Sequence, residues 1–78
     1  MAYANKITDC NNATENNVVY AAYADAANRP LTNDTYFTVW AYTWDQQNTV
    51  QFACAFATTQ IYRRYKNNNV WSAWEGPR

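Results

Sequence analysis

The stretch QIYRRYKNNNVWSAW, residues 60–74, predicts a β-hairpin on which the fold depends. Side chains alternate between two faces along a strand. Residues 60–66 would therefore present Ile61, Arg63 and Tyr65 on one face and Tyr62, Arg64 and Lys66 on the other. The three asparagines at 67–69 predict the turn, because asparagine tolerates a positive φ and hydrogen-bonds to its own backbone. The return segment carries Trp71 and Trp74, two large rings that we expect to close the core.

The segment YFTVWAYTW, residues 36–44, is the clearest strand before this hairpin. One face would present Tyr36, Thr38, Trp40, Tyr42 and Trp44, and the other would present Phe37, Val39, Ala41 and Thr43. Both faces are too apolar for a sheet that has one side in water. A polar loop of four residues at 45–48 leads into a further strand at 49–57. That strand would carry Val50, Phe52, Cys54 and Phe56 on one side.

The first third of the chain is harder to interpret. In residues 18–24, VVYAAYA, the alanines favour a helix, whereas the valines, the tyrosine and the flanking turn residues favour a strand. Residues 12–15, NATE, predict one short helical turn with an asparagine cap and a glutamate three residues later. Residues 25–34 predict a loop, with turn residues at Asn28-Arg29-Pro30 and Asn33-Asp34. The polar tail at 75–78 is expected to fray.

These segments predict an all-β fold, a small antiparallel meander or sandwich of four to five strands with a short N-terminal helical turn. The length of 78 residues is that of one domain. We assign residues 1–8 to a lead-in from an upstream segment and residues 9–78 to the β domain.

Composition argues against several functions. The formal net charge is zero and the basic residues cluster only at Arg63, Arg64 and Lys66, which argues against a nucleic-acid partner. No apolar run approaches the roughly 20 residues that span a bilayer, so we expect no membrane insertion. The chain has no histidine to activate a nucleophile and its acids fall in loops or at ends, so we predict no enzyme activity and no cofactor. Cys10 and Cys54 alone lack the ligands for zinc, and their spacing does not decide whether they pair.

Several motifs in order resemble the pyocin-knob type of domain, found in tail fibres of phages, prophages and R-type pyocins. The final hairpin matches in Tyr62-Arg63-Arg64, the asparagines at 67–69 and Trp71-Ser72-Ala73-Trp74. Upstream, residues 9–17 resemble the family's D-x-N-x-x-T-E-x-G turn, with Asn17 in place of its usual glycine. Asn28-Arg29-Pro30 resembles its N-x-P loop, and Val50-Gln51-Phe52 resembles its third strand. The resemblance covers about residues 9–74 and favours a strand at 18–24.

The resemblance implies a function as well as a fold. It implies a homotrimeric tail-fibre knob that binds a bacterial surface receptor, a glycan or another envelope component, during host recognition. The protein would be made in the bacterial cytoplasm and would act in a virion tail fibre or in a prophage or pyocin-like particle. Phe37 and Val39 resemble the family's core positions. We expect them to pack with Phe52, Tyr62, Trp71 and Trp74.

The candidate site follows from the face opposite these core positions. Aromatic rings offer apolar faces on which the C–H patches of sugars can stack, while tyrosine and tryptophan keep a polar tip. The candidate ligand-binding or subunit-contact residues are Tyr36, Trp40, Tyr42, Trp44, Arg63 and Arg64. The rings could instead belong to the core or to a contact between copies of the chain. Of the two arginines, one would form a surface ion pair and the other could hold a carboxylate in a bidentate fork.

Two other functions remain open from the sequence. One is a purely structural module that trimerises or connects segments of a tail fibre. The other is a carbohydrate-binding module attached to a cell-wall hydrolase.

Overall fold

Six strands follow one another in residues 4–31 and 35–77, the part of the chain that the computed structural model describes. They are β1 (Asn5–Asp9), β2 (Val19–Ala27), β3 (Phe37–Asp45), β4 (Asn48–Ala55), β5 (Ile61–Asn67) and β6 (Val70–Trp71). They form one sheet in which the spatial order is the order along the chain. β1 pairs with β2 in parallel, and every later pair is antiparallel. The prediction of an all-β fold is confirmed.

The first strand accounts for the difference from the predicted four to five antiparallel strands. β1 lies largely in the segment predicted as a lead-in, and it joins the sheet in parallel because residues 10–18 cross back over one face before β2 begins. Ile7 is buried there opposite Ala22. Residues 1–3, the predicted Asn33-Asp34 turn and Arg78 lie outside the described residues.

The helical turn near the N-terminus is present but begins earlier than predicted. It is a single 3-10 turn over Cys10–Asn12, and its cap is Asp9, whose Oδ1 accepts a hydrogen bond from the Asn11 amide at 2.9 Å. The prediction of a turn starting from Asn12 was wrong because the capping carboxylate lies at the end of β1. An aspartate in that position captures the free amide that opens the turn.

The asparagines occupy backbone conformations that most residues avoid. Asn68 and Asn69, between β5 and β6, have φ of 54° and 69°, the pair of positive values that a type I′ hairpin requires. Asn17, which stands where the family has glycine, has φ of 64°, in the left-handed region. The β3–β4 loop is shorter than predicted, since Asp45 and Asn48 already pair and only two residues connect them.

The two faces of the sheet differ in burial. The inner face carries the core, and its buried hydrophobic strand residues are Ile7, Tyr20, Ala22, Ala26, Phe37, Val39, Ala41, Ala53, Ala55 and Tyr62. The Phe37 and Tyr62 rings meet edge to face with centroids 5.8 Å apart. Cys10 and Ala13 complete this cluster from the segment that crosses the face, and Trp74 packs against it. The core assignments of Phe37, Val39, Tyr62 and Trp74 are confirmed.

Phe52 was predicted to join the core, and that prediction is wrong. Phe52 pairs with Trp40 on β3 and with Arg63 on β5, which places all three on the outer face. Its neighbour Gln51 points inward instead. Side chains one residue apart on a strand face opposite ways, so only one of the two could be buried in the core.

The C-terminal segment docks on the sheet rather than fraying at residue 75. Arg63 and Glu75 exchange two backbone hydrogen bonds of 2.9 and 2.7 Å. The Trp74 indole Nε1 donates to the carbonyl oxygen of Asn28 at 2.8 Å. The expectation of a frayed tail was therefore wrong for Glu75, whose strand-like pairing extends the hairpin.

Candidate functional site

A polar network crosses the inner face and holds the N-terminal turn on the sheet. Gln51 is 0% exposed, and its Nε2 donates to the carbonyl oxygens of Cys10 at 2.6 Å and Ala13 at 2.9 Å. Its Oε1 accepts from Arg64 Nε at 2.7 Å. Arg64 Nη2 donates in turn to Asn11 Oδ1 at 2.7 Å. We call these side chains and the two carbonyl groups the Gln51 network.

Arg64 belongs to this network and not to the outer face. The side chain is 7% exposed, and its guanidinium carbon lies 3.9 Å from the centroid of the Trp71 ring and 4.6 Å from that of Trp74. Burial lowers the pKa of the Arg64 guanidinium from its ordinary value. Arg64 was predicted as a ligand or subunit contact. The structure instead gives it internal hydrogen bonds and cation–π contacts, which stabilise the fold.

Hydrogen bonding is complete for the buried polar side chains of the described residues. Within residues 4–31 and 35–77, every buried side-chain nitrogen or oxygen has a hydrogen-bond partner. Burial also raises the pKa of the Cys10 thiol from 9.0 to about 11, the nearby Arg64 charge opposing this in part. Cys10 is thus a protonated thiol at neutral pH and a poor nucleophile.

The outer face brings together four of the six predicted site residues. Trp40 and Tyr42 project from the middle of β3, and Trp40 stacks on Phe52 with ring centroids 5.7 Å apart and planes tilted by 20°. Trp44 lies in a β-bulge between Thr43 and Asp45 and is 83% exposed. Arg63 contributes from β5, in the same cross-strand row as Trp40.

Tyr36 lies apart from this group, just before the start of β3. Its ring is 5.0 Å from that of Tyr23, and the Lys6 ammonium lies 4.7 Å from the Tyr23 ring centroid. It remains exposed, but it belongs to a separate aromatic pair near the other end of the strand.

Arg63 carries the ion pair that was predicted for one of the two arginines. Its Nη2 lies 3.7 Å from Glu75 Oε1, and both side chains are about half exposed. Because both groups are solvated, the pair contributes little stability.

Four residues that line a groove beside Trp40, Tyr42 and Trp44 were not among the predicted site residues. A depression of about 320 Å³ lies between β4 and β5 and is lined on the outer face by Val50, Phe52, Arg63, Tyr65 and Glu75. A second, of about 370 Å³, shares Val50 and Tyr65 and is bordered by Trp44, Asn48, Lys66 and Asn67. The alternation at 49–57 set Val50 and Phe52 on one side of their strand, and that at 60–66 set Tyr65 on the same face as Arg63, but Phe52 was expected in the core. What the sequence lacked was the register that sets Val50 opposite Tyr65.

Across residues 4–31 and 35–77, no group of three or more histidine, cysteine, aspartate or glutamate side chains could hold a metal ion. In the same ranges, no helix is long and apolar enough to cross a membrane.

No protein-family model, curated protein or solved structure matches this chain. The similarity to pyocin-knob domains therefore stays a prediction that rests on the short motifs themselves.

Proposed function

We propose that this domain is a tail-fibre knob that binds a bacterial surface glycan, without chemistry, through the outer face of its sheet. The observation that carries the proposal is the accumulation of exposed aromatic side chains on that face beside the β4–β5 groove. Monomeric proteins seldom leave such a contiguous apolar surface in water unless it binds something.

The chemistry of the outer face suits a sugar better than a purely apolar ligand. Tyr42 is 66% exposed, and it, Trp44 and Tyr65 each combine a flat apolar ring with a polar tip. The Arg63–Glu75 pair adds a donor and an acceptor at the edge of the same surface. Ring faces can take the C–H side of a sugar while the charged groups take its hydroxyls.

A fibre that carries several copies of the domain could attach firmly to a cell even if each domain binds its sugar weakly. Contacts to a single sugar are few, and linked copies raise the effective concentration of the second and third binding events. The proposed homotrimer would supply that multiplicity in a virion tail fibre or a prophage particle.

Competition for adsorption tests the proposal. The purified domain, added in excess to host bacteria, should lower adsorption of the phage or particle that carries it, and fluorescent domain should label the cells. Trp44→Ala should weaken labelling and Phe56→Ala should not. Phe56 is similarly exposed, at 77%, but lies beyond the groove in the β4–β5 connection. Equal labelling by both variants, or none by the native domain, would count against the proposal.

A structural trimerisation or connector module is the second candidate, favoured by the row Val19, Trp40 and Phe52. These side chains lie side by side across three strands and join the Trp40–Phe52 stack to an exposed valine. A neighbouring copy could cover this row. Light scattering and cell labelling of Trp40→Ala separate the two functions. If the variant loses the oligomer but labels cells as well per chain as the native domain, the row forms a contact between subunits. A hydrolase-linked binding module would require a catalytic domain in the same gene.

A further inference from the structure

We infer that the β4–β5 groove consists of two adjoining sugar subsites and that it takes a neutral oligosaccharide in preference to an acidic one. The inference rests on the proposed function and specifies its ligand. Three features carry it: the shared wall between the two depressions, the ring surfaces that border each, and the Arg63–Glu75 ion pair at one end.

The first subsite has an apolar floor and a charged end. Val50 and Phe52 form the floor, and Phe52 is held in place by its stack on Trp40. The Arg63–Glu75 pair closes one end. A sugar ring lying on this floor would reach a guanidinium donor and a carboxylate acceptor, the two groups that a pair of neighbouring hydroxyls can engage together.

The second subsite begins on the other side of Tyr65. Val50 and Tyr65 face each other directly across β4 and β5 and line both depressions. Trp44 borders the far side, and its bulged position leaves the indole open to solvent. The amide side chains of Asn48 and Asn67 lie at the rim. One tyrosine ring thus separates two sites that a single linked ligand could occupy.

The guanidinium and the carboxylate at the end of the groove are paired with each other, which favours a neutral ligand. Arg63 faces Glu75 at 3.7 Å. Lys66 lies 5.3 Å from the Trp71 ring centroid, and its side chain leaves β5 on the face opposite that of Arg63 and Tyr65. The pKa of Asp45 is lowered chiefly by hydrogen bonds from Gln47 and Asn48, with a smaller contribution from Lys66. A carboxylate on the ligand would have to displace Glu75 from Arg63, whereas hydroxyl groups can bind both partners without separating them.

Calorimetric titration and a glycan array test the inference on the purified 78-residue protein. The probes are neutral hexose oligosaccharides of one to four units and uronic-acid oligomers of equal length. We expect neutral ligands to bind more tightly than acidic ones, with a gain of about tenfold from one unit to two and little beyond. Preference for the acidic series, or no binding to either, would overturn the inference.

Two variants and a control assign the subsites. Tyr65→Ala should lower affinity for mono- and disaccharide by about tenfold, and Tyr65→Phe should keep most of it. Trp44→Ala should remove only the gain from the second unit. Phe56→Ala should change neither, and circular dichroism checks that each variant is folded. Equal losses of mono- and disaccharide affinity in Trp44→Ala would overturn the division into two sites.

Parallel cell labelling separates failure of this inference from failure of the proposed function. If the native domain and Tyr65→Ala label bacteria equally, the groove is not the contact and the proposed function stands. If the native domain labels no cells, the proposed function fails with it. Light scattering gives the molar mass of the protein in solution. If Tyr65→Ala lowers that molar mass and leaves sugar binding unchanged, a second copy of the chain occupies the groove and the inference is overturned.

Discussion

The two faces of this sheet use similar residues for opposite purposes. On the inner face, Gln51 and Arg64 are buried and satisfy each other and the crossing segment. On the outer face, Arg63, Tyr42 and Trp44 stay in contact with solvent. The comparison shows that parity along a strand, more than residue type, decides whether a polar or aromatic side chain stabilises the fold or remains free to bind.

Arg63 and Arg64 are the sharpest instance of this difference. They are adjacent in sequence, yet one forms a solvated ion pair at 3.7 Å and the other donates two hydrogen bonds of 2.7 Å inside the domain. Exposed ion pairs contribute little to stability, whereas a buried charge that loses its partner is costly. The following predictions test whether stability resides on the inner face and binding on the outer.

Gln51→Ala should produce the largest loss of stability. It leaves two carbonyl groups and the Arg64 guanidinium without their partner, and we expect the free energy of unfolding to fall by about 3–5 kcal/mol. That is a large part of the roughly 4–12 kcal/mol expected for a domain of this size. Urea denaturation measures the loss, and Gln46→Ala, in the exposed β3–β4 loop, is the control. Similar urea midpoints for the two variants would show that the Gln51 network does not stabilise the fold.

The arginine pair gives the next test. Arg64→Met should lower the free energy of unfolding by about 2–4 kcal/mol, because it removes one buried and one partly buried hydrogen bond and the contacts with Trp71 and Trp74. Arg63→Met should cost less than about 1 kcal/mol. Thermal or urea unfolding of both variants under one buffer condition makes the comparison. A larger loss for Arg63→Met would reverse the assignment of the two faces.

Alkaline titration tests the burial of Cys10. Its pKa is raised to about 11 in the folded protein, so its contribution to stability is complete below the unfolded value near 9 and is lost as pH rises towards 11. A difference of two pKa units corresponds to about 2–3 kcal/mol. The free energy of unfolding of the native protein should therefore fall relative to that of Cys10→Ala across this range. A constant difference between the two proteins would show that Cys10 ionises equally in both states.

The smallest effect on stability should come from the outer face. Trp44→Ala removes a ring that is almost wholly exposed, so we expect a change in the free energy of unfolding below about 0.5 kcal/mol. Phe56→Ala should behave in the same way. A loss of several kcal/mol in dilute solution would mean that Trp44 packs against another part of the domain or another copy.

The sequence predicted the local features of the fold well. The alternation of residues 60–66 assigned both arginines to opposite faces, and the asparagine turns followed from the backbone freedom of that residue. Neither prediction needed knowledge of distant parts of the chain, since the relevant interactions lie within a few residues.

The features that sequence reasoning missed depend on distant partners. Gln51 can be buried because the carbonyl oxygens of residues 10 and 13 accept hydrogen bonds from its amide. No residue near position 51 indicates these distant partners. Because the Gln51 side chain faces inward, that of Phe52, the next residue on the strand, must face outward. The bulge at Trp44 and the pairing of Val50 with Tyr65 likewise depend on register, which local propensity does not determine.

The strictly sequential strand order has a consequence for how the chain folds. Each strand pairs with its neighbour along the chain, so the sheet can assemble through short loop closures at little entropic cost. The hydrogen bond from Arg64 to Asn11 joins residues 53 positions apart. We expect this contact to form after the rate-limiting barrier of folding. Losing it should then accelerate unfolding while the refolding rate stays nearly constant. Stopped-flow kinetics of Arg64→Met would contradict this order of events if refolding slowed instead.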